Sequence, residues 1–463
     1  MANRKIDDYA RIQRKKAEIR KRRKRKRRQR ITTLAVAFVV LIASISYITL
    51  KVVQGDVFIK TTEKSSTEEV AETTPTPTPT PEVTATPVPE SSEESVEESS
   101  ADTSTVSPTT GYSVADWTYT TTESAPDGDI VDADSDYTYE RMERDIYFLK
   151  QRYGQHMSVN VIGYSCDGRE LLDCVVGDAS ATKDIIVQYS MHAREYITTS
   201  VAMLQLEEIL ENYDTGTWNG RSYSELLSKV RLHIIPMINP DGVTLSQTCS
   251  LDSIQSEELR EVIQTAYSND NEVGKGSSNM ADYLRTWKAN GRAVDLNRNF
   301  ASSGWTADMA MTRPSTNQFP GTEPNSEPEV QAILNLEQHI NCVAQIAYHA
   351  HGNLMYYDYG MDSIDPELYE TDYQLAETLA ATTALDDGTT YKVLSTVEDD
   401  QNPGGCSDYF MQILHIPSVT IEVGDNYTAD GSYNDPPLSA DQASSIYERN
   451  KHILAALADA FAD

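Results

Sequence analysis

Ile31 to Leu50 is a run of 20 residues without a single charge, closed by Lys51. No water-soluble core needs such a run, and its length matches the roughly 20 residues that cross a bilayer as a helix. It follows a basic segment: residues 1–30 hold 16 Lys/Arg against 3 Asp/Glu, in a chain whose net charge is −32. Positive flanks stay inside, so residues 1–30 are expected in the cytoplasm, 31–53 as a signal anchor, and everything beyond as extracellular. A cleaved signal peptide is the rival reading. The length of the apolar run and the lack of a small-x-small site near Val52 speak against it. Alone, Lys21–Arg30 would also suit a nucleic-acid arm. Next to a span, contact with anionic lipid headgroups is the better reading, and no nucleic-acid partner is expected.

Residues 54–110 offer almost nothing to bury. Pro alternates with Thr, Val and Glu from Thr73 to Pro89, and Ser, Glu and Thr fill the stretch after it. Ordering entropy then outweighs any gain from burial, and the segment is expected to be an extended, semi-rigid stalk. The five cysteines all lie beyond the span. Their number is odd, and no C-x-x-C pair occurs.

Residues 111–463 have the length of one α/β enzyme domain. Helical periodicity covers Tyr137–Tyr153. Two strand-like runs, Val159–Tyr164 and Leu171–Val176, flank Asp167-Gly168 as a hairpin. Ile185–Tyr189 is apolar throughout, as in a strand buried on both faces, and a helix is expected over Ser200–Tyr213. Val230–Ile238 reads as a strand stopped by the turn cluster Asn239-Pro-Asp-Gly242. Further helices are expected over Glu257–Tyr267, Ser326–Ile340, Asp372–Thr383 and Ala440–Phe461, with strands over Cys342–Tyr348 and Ser418–Val423. The alternation predicts an α/β fold with a mixed, mostly parallel sheet flanked by helices.

Ligands of such sheets bind beyond the carboxyl ends of strands. His192, His349 and Glu422 all fall at or just past such ends, and Glu195 follows His192 by three residues. Two imidazoles and a carboxylate are a ligand set for one zinc ion with an open position for water. His351 is the nearest rival to His349 among only eight histidines. Glu422 sits in the apolar run Val419-Thr-Ile-Glu-Val423, where a carboxylate is costly unless paired or functional. It is the candidate general base. Asn297 and Arg298 offer an amide and a guanidinium for a substrate carboxylate.

Together these motifs resemble the carboxypeptidase A-like zinc metallopeptidases. The motifs are His192-Ala-Arg-Glu195, Asn239-Pro-Asp-Gly242, Asp295-Leu-Asn-Arg298, Ser326-Glu-Pro-Glu329, His349, Gly404-Gly405 and Glu422, in order over about 137–463. The resemblance implies zinc on His192, Glu195 and His349, Glu422 as base and acid, Arg194 in the substrate cleft, and the substrate carboxylate on Asn297 and Arg298. The family's oxyanion arginine falls on Lys288, which keeps the charge without the fork. The tyrosine that caps substrates in the digestive enzymes falls near Asp400, where this chain has none. The specificity position falls on Ser407, beside Asp408. The Trp287–Phe300 and Phe319–Glu329 runs look most like the bacterial γ-D-glutamyl-diaminopimelate peptidases. The expected partner is therefore a peptidoglycan stem peptide. A general carboxypeptidase acting on exogenous peptides and an inactive wall-binding relative are the alternatives.

Overall fold

The computed structural model describes residues 115–133, 136–307, 311–397, 404–425 and 440–463. The expected tail, span and stalk lie outside the described residues, as does Asp400. Among the described residues no helix is long and apolar enough to cross a membrane.

The strands in chain order are β1 (Ala115–Asp116), β2 (Met157–Tyr164), β3 (Glu170–Val176), β4 (Lys183–Gln188), β5 (Thr217–Trp218), β6 (Arg221–Ser222), β7 (Val230–Ile235), β8 (Cys342–Ala350), β9 (Leu354–Tyr357), β10 (Lys392–Ser395) and β11 (Ser418–Val423). β5 and β6 form a small hairpin of their own. The other nine make one sheet, in the order β1-β2-β3-β7-β4-β8-β11-β9-β10. The four central strands β7, β4, β8 and β11 run parallel. The flanks do not: β1–β2, β2–β3, β3–β7 and β11–β9 are antiparallel. Half of the eight pairings are therefore parallel, and the expected mostly parallel sheet is corrected to an evenly mixed one. For β2–β3 the cause is a short connection. β2 and β3 are joined by the tight Asp167-Gly168 turn, with Gly168 at φ +86°, and a turn that short closes only an antiparallel pair.

β4 shows why the centre is buried on both faces. Ile185 and Val187 enter one apolar core with Met203, Leu206 and Ile209 of the helix Ile197–Glu211 and with Leu454 and Leu457 of the closing helix. Ile186 points the other way, into a second core with Ile333 of the helix Pro328–Glu337, Phe300 and Phe410. Each face is covered by helices, as an alternating β/α chain requires.

Three local expectations are corrected. The helix expected over Ala440–Phe461 is two helices, Ala440–Asn450 and Ile453–Phe461. The carbonyl of Asn450 is captured by Nε2 of Gln205 at 2.6 Å, which takes it out of the helical ladder. Asn239-Pro-Asp-Gly242 does not merely stop β7. It begins the helix Pro240–Thr248, with Asn239 as N-cap and Pro240 in the first turn. β9 and β10 were not foreseen: each has only four residues, too few for a periodic signal. All five cysteines are free thiols.

The chain enters the domain along the β1 edge. The buried Trp117 follows β1, and further on the carboxylate of Glu207 accepts from the backbone N–H groups of Ile130 (2.7 Å) and Val131 (2.8 Å).

On the amino-terminal side of the sheet, His233 of β7 is pinned between two carboxylates. Its Nδ1 lies 2.8 Å from Asp173 and its Nε2 3.2 Å from Asp184, which also takes a two-point contact from Arg231 at 2.7 and 3.1 Å. Burial alone would depress the imidazole, but Asp173 and Asp184 outweigh it and push His233 up to about 9 from 6.5. A raised pKa stabilises the fold fully below the unfolded value and loses that contribution as pH rises through the folded value. The unfolding midpoint is therefore expected to fall between pH 6.5 and 9 by an amount worth on the order of 3 kcal/mol. His233→Gln should be less stable at pH 6 and flatter across that window. Thermal melts from pH 6 to 9.5 check this, and parallel curves for the two proteins would rule it out.

Candidate metal centre and substrate cleft

β4 ends at Gln188, and the chain must then turn sharply. Ser190 adopts φ +53°, and its N–H and hydroxyl bond to Thr198 at 2.8 and 2.9 Å, with the hydroxyl also 2.8 Å from Thr199. This buried hydroxyl cluster folds the loop back onto the start of the helix Ile197–Glu211. Between the two lies one 3₁₀ turn, Ala193–Glu195, capped by His192. Residues three apart eclipse in a 3₁₀ turn, so His192 and Glu195 project together. His349 comes from the neighbouring strand β8, one residue before its end.

The three side chains meet. Nδ1 of His192 lies 3.0 Å from Oε1 of Glu195. Nδ1 of His349 lies 3.0 Å from Oε2 of Glu195 and 2.9 Å from Nδ1 of His192. Oε2 also accepts from the backbone N–H of Ala350 at 3.2 Å. All three residues are buried: His192 is 5 %, Glu195 2 % and His349 1 % exposed. Two imidazole nitrogens this close repel unless a proton or a cation lies between them. Burial would raise the Glu195 carboxyl, but His192, Lys288 and His349 hold it well below the usual carboxylate range. A carboxylate and two imidazoles converging in a dry site fit zinc, with nitrogen and oxygen donors and no thiolate. His351 lies past the end of β8 and is not in this donor group.

An orienting carboxylate stands behind the group. Nε2 of His192 faces Oδ1 of Asp295 at 3.2 Å, and Asp295 is fully buried. Burial alone would raise its carboxyl; the His192 imidazole, Arg298 and Lys288 hold it far below the usual range instead. Asp295 lies within the motif Asp295-Leu-Asn-Arg298, and the sequence alone assigns it no role. A carboxylate two residues before the Asn297-Arg298 pair was the available signal.

Glu422 is brought to the same place by register. In the parallel pair β8–β11, Glu422 is opposite His349, and paired residues project from the same face. Burial pushes its carboxyl up; His349 lowers it and the like charge of Glu195 raises it, leaving it at about 7. Lys288 also reaches the site, with Nζ 3.6 Å from Oε1 of Glu195. Its backbone is fixed at both ends: the carbonyl accepts from Ala193 N–H at 3.2 Å and the N–H donates to Thr316 at 3.1 Å. Arg194 is half-buried in the ligand turn itself.

The motif Asn239-Pro-Asp-Gly242 clamps these loops. The carboxamide nitrogen of Asn239 donates to the carbonyls of Met191 (2.9 Å) and Ala289 (3.1 Å), and its oxygen accepts from Gly242 N–H at 3.1 Å. Gly242 has to lack a side chain. A Cβ there would stand 2.4 Å from the Ala289 carbonyl oxygen and 2.8 Å from Cβ of Ala193.

Asn297 and Arg298 sit in a 3₁₀ turn at Leu296–Arg298. Oδ1 of Asn297 accepts from Cys406 N–H at 2.9 Å, and its Nδ2 lies 3.5 Å from Nε2 of His349. Nη1 of Arg298 donates to the Asn297 carbonyl at 2.6 Å. Both residues line a cleft beside the metal site whose walls include Tyr356, Thr396, Asp408 and Thr420. The structure therefore gathers the three ligands, Glu422 and Lys288 in one place, with Asn297 and Arg298 alongside.

The zinc carboxypeptidase family model (peptidase M14) matches residues 142–439. The chain belongs to this family and is a zinc metallopeptidase. It is 25 % identical over 322 residues to γ-D-glutamyl-L-diamino acid endopeptidase 1 of Lysinibacillus sphaericus, covering 69 % of this chain and 71 % of that one. It is 27 % identical over 286 residues to carboxypeptidase B of Astacus astacus, covering 60 % and 82 %. Its fold is shared with the crystal structure of carboxypeptidase A from Helicoverpa armigera, at a TM-score of 0.53, 19 % identity, and 71 % and 74 % coverage.

Orienting partners of metal-bound histidines are worth roughly 10- to 100-fold in metal affinity. Asp295→Asn is expected to weaken zinc retention by that much while leaving the fold intact. Competition against a chromogenic chelator measures it. Unchanged affinity would show that Asp295 does not orient His192.

Proposed function

We propose that this protein is a membrane-anchored extracellular zinc peptidase that hydrolyses peptidoglycan stem peptides. The convergence of His192, Glu195 and His349 beside Glu422 carries the hydrolytic reading. Zinc held by the three ligands supplies a Lewis acid and a water of lowered pKa. Glu422 takes the proton of the attacking water and passes it to the leaving amine. The Lys288 ammonium stabilises negative charge that develops on the carbonyl oxygen. Arg298 holds a substrate carboxylate, assisted by Nδ2 of Asn297, and Arg194 lines the approach.

The wall substrate is supported by the Lysinibacillus relative, a γ-D-glutamyl-L-diamino acid endopeptidase. The anchor and the outward orientation are supported by the uncharged run Ile31–Leu50 behind a basic tail and by the stalk composition of 54–110. A general carboxypeptidase is the second reading, favoured by the match to most of the length of carboxypeptidase B.

The test is made on the full chain in membranes, measuring zinc content and release of diaminopimelate-containing fragments from purified stem peptide. One zinc per chain and cleavage are expected, with Glu422→Gln losing roughly 10²- to 10⁴-fold in turnover while keeping its zinc. Cleavage of ordinary peptides alone would transfer the assignment to the general carboxypeptidase, and absence of zinc would end both. For topology, protease added to intact cells should remove 111–463 and leave a short membrane-bound fragment carrying 1–30. A chain that washes off with salt and resists the protease would overturn the anchor.

A further inference from the structure

A second cavity, of about 870 Å³, lies away from the metal centre and beside the amino-terminal half of β7. Its volume falls within the roughly 300–1,000 Å³ of small-molecule sites. The metal ligands follow from the carboxyl ends of the central strands, so this cavity belongs to the opposite rim of the sheet.

Its floor is a strip of outer sheet. Register sets Asn160 of β2 opposite Asp173 of β3, and Ser158 opposite Val175, which is in turn opposite His233 of β7. Paired residues share a face, so these five side chains stand side by side. Leu336, in the last turn of the helix Pro328–Glu337, and Ile340 just beyond it add an apolar wall.

The charges around this floor are already matched. His233 is held between Asp173 and Asp184, and Arg231 is held on Asp184. His156 lies 3.2 Å from Asp214 and stacks on Tyr213, with 3.8 Å between ring centroids. Asp178 accepts from the N–H and the hydroxyl of Ser180, both at 2.7 Å. An entering anion would meet Asp173 and Asp178, and an entering cation would meet Arg231 and His233. Full charge of either sign is therefore resisted.

The neutral polar groups are not matched. Among the described residues the Ser158 hydroxyl and the Asn160 carboxamide make no hydrogen bond, and neither does Oδ1 of Asp173. Asp173 is 1 % exposed, and a carboxylate oxygen so far out of water is costly without a donor. The three form one row: an acceptor, then a carboxamide and a hydroxyl that can each donate and accept. What completes the row must bring donors and acceptors at short spacing, carry no net charge, and turn an apolar side to Val175, Leu336 and Ile340. Sugar rings meet all three conditions, because their hydroxyls both donate and accept while their C–H faces are apolar.

We propose that this cavity is a carbohydrate site, in which Ser158, Asn160 and Asp173 hold the hydroxyls of a short neutral oligosaccharide against the wall of Leu336 and Ile340. The site goes beyond the peptidase reading and does not depend on it. A chain held here on a sugar polymer would keep the catalytic rim, at the far side of the sheet, open to peptide.

Binding is measured by calorimetry on the full-length, zinc-loaded protein in a detergent without a sugar headgroup. The probes are neutral trimers of glucose and of N-acetylglucosamine, the cationic trimer of glucosamine and the anionic trimer of galacturonic acid. A neutral trimer is expected to bind at millimolar concentration or below, and the charged trimers roughly 10-fold more weakly or worse. Asp173→Asn would disturb His233, so the variants are made at the two exposed or half-buried neighbours instead. Asn160→Ala should weaken the neutral trimer by up to about 10-fold, and Ser158→Trp, which fills the cavity, should abolish binding. Both should keep the zinc content, unfolding midpoint and peptidase rate of the parent. Binding of neither neutral trimer overturns the proposal, as does binding of a charged trimer as tight as that of the neutral ones. Neutral binding that survives in both folded variants places the sugar elsewhere and overturns it too. Stripping the zinc with a chelator should leave sugar affinity unchanged. Sugar binding that disappears with the metal would put the sugar at the catalytic rim and overturn the assignment, whereas sugar binding by a protein that cleaves no peptide would uphold it while the peptidase reading fell.

Discussion

The buried carboxamide of Asn239 fixes the distance between the two loops on which the site depends. One loop carries His192 and Glu195, and the other carries Lys288. Neither is a regular element, so neither has a ladder of its own to hold it. Asn239 donates to Met191 and Ala289 across the gap and caps a helix with its oxygen, so one side chain meets three backbone groups. Gly242 lets the same helix press against Ala193. The site is stiff because its irregular segments are tied to a helix start. Catalytic constellations need such fixing to within a fraction of an ångström.

The second constraint is strand register. β4, β8 and β11 are adjacent and parallel, so their carboxyl ends share one rim. His349 and Glu422 are opposite one another in that register, and His192 and Glu195 follow from the end of β4. A slip of one residue between β8 and β11 would turn Glu422 to the opposite face, away from the metal ligands. Asp295 stands behind the ligand His192 and faces its second ring nitrogen, a placement the sheet alone does not set.

Much of this was legible in the sequence because the relevant signals are local. The apolar runs of β4, β8 and β11 announce buried strands, and chemistry-bearing residues at their ends announce a site. Ser418–Val423 appears with the bounds expected of it. What was not legible depends on partners far along the chain. The break at Asn450 exists because Gln205, some 245 residues away, captures its carbonyl. The direction of the flanking strands depends on connection lengths and on which edges remain open, and periodicity carries neither. Asn239 looked like a turn residue because Asn-Pro-Asp-Gly suits turns and helix starts equally well. The partners of the Ser407 hydroxyl, Gln345 and Thr420, also come from strands that its own neighbours in the chain do not announce.

The way the chain enters the domain has a mechanical meaning. A pull on the amino-terminal end of the described chain is first felt by β1, two residues paired to the outermost long strand. The load then meets the buried ring of Trp117 and the two-point grip of Glu207 on Ile130 and Val131, before it reaches the helix Tyr139–Tyr153. Three strands still separate β1 from β4, the nearest strand that leads to a metal ligand. Tension on a tether would be spent at a sacrificial margin, and the catalytic rim would keep its shape while the margin gave way.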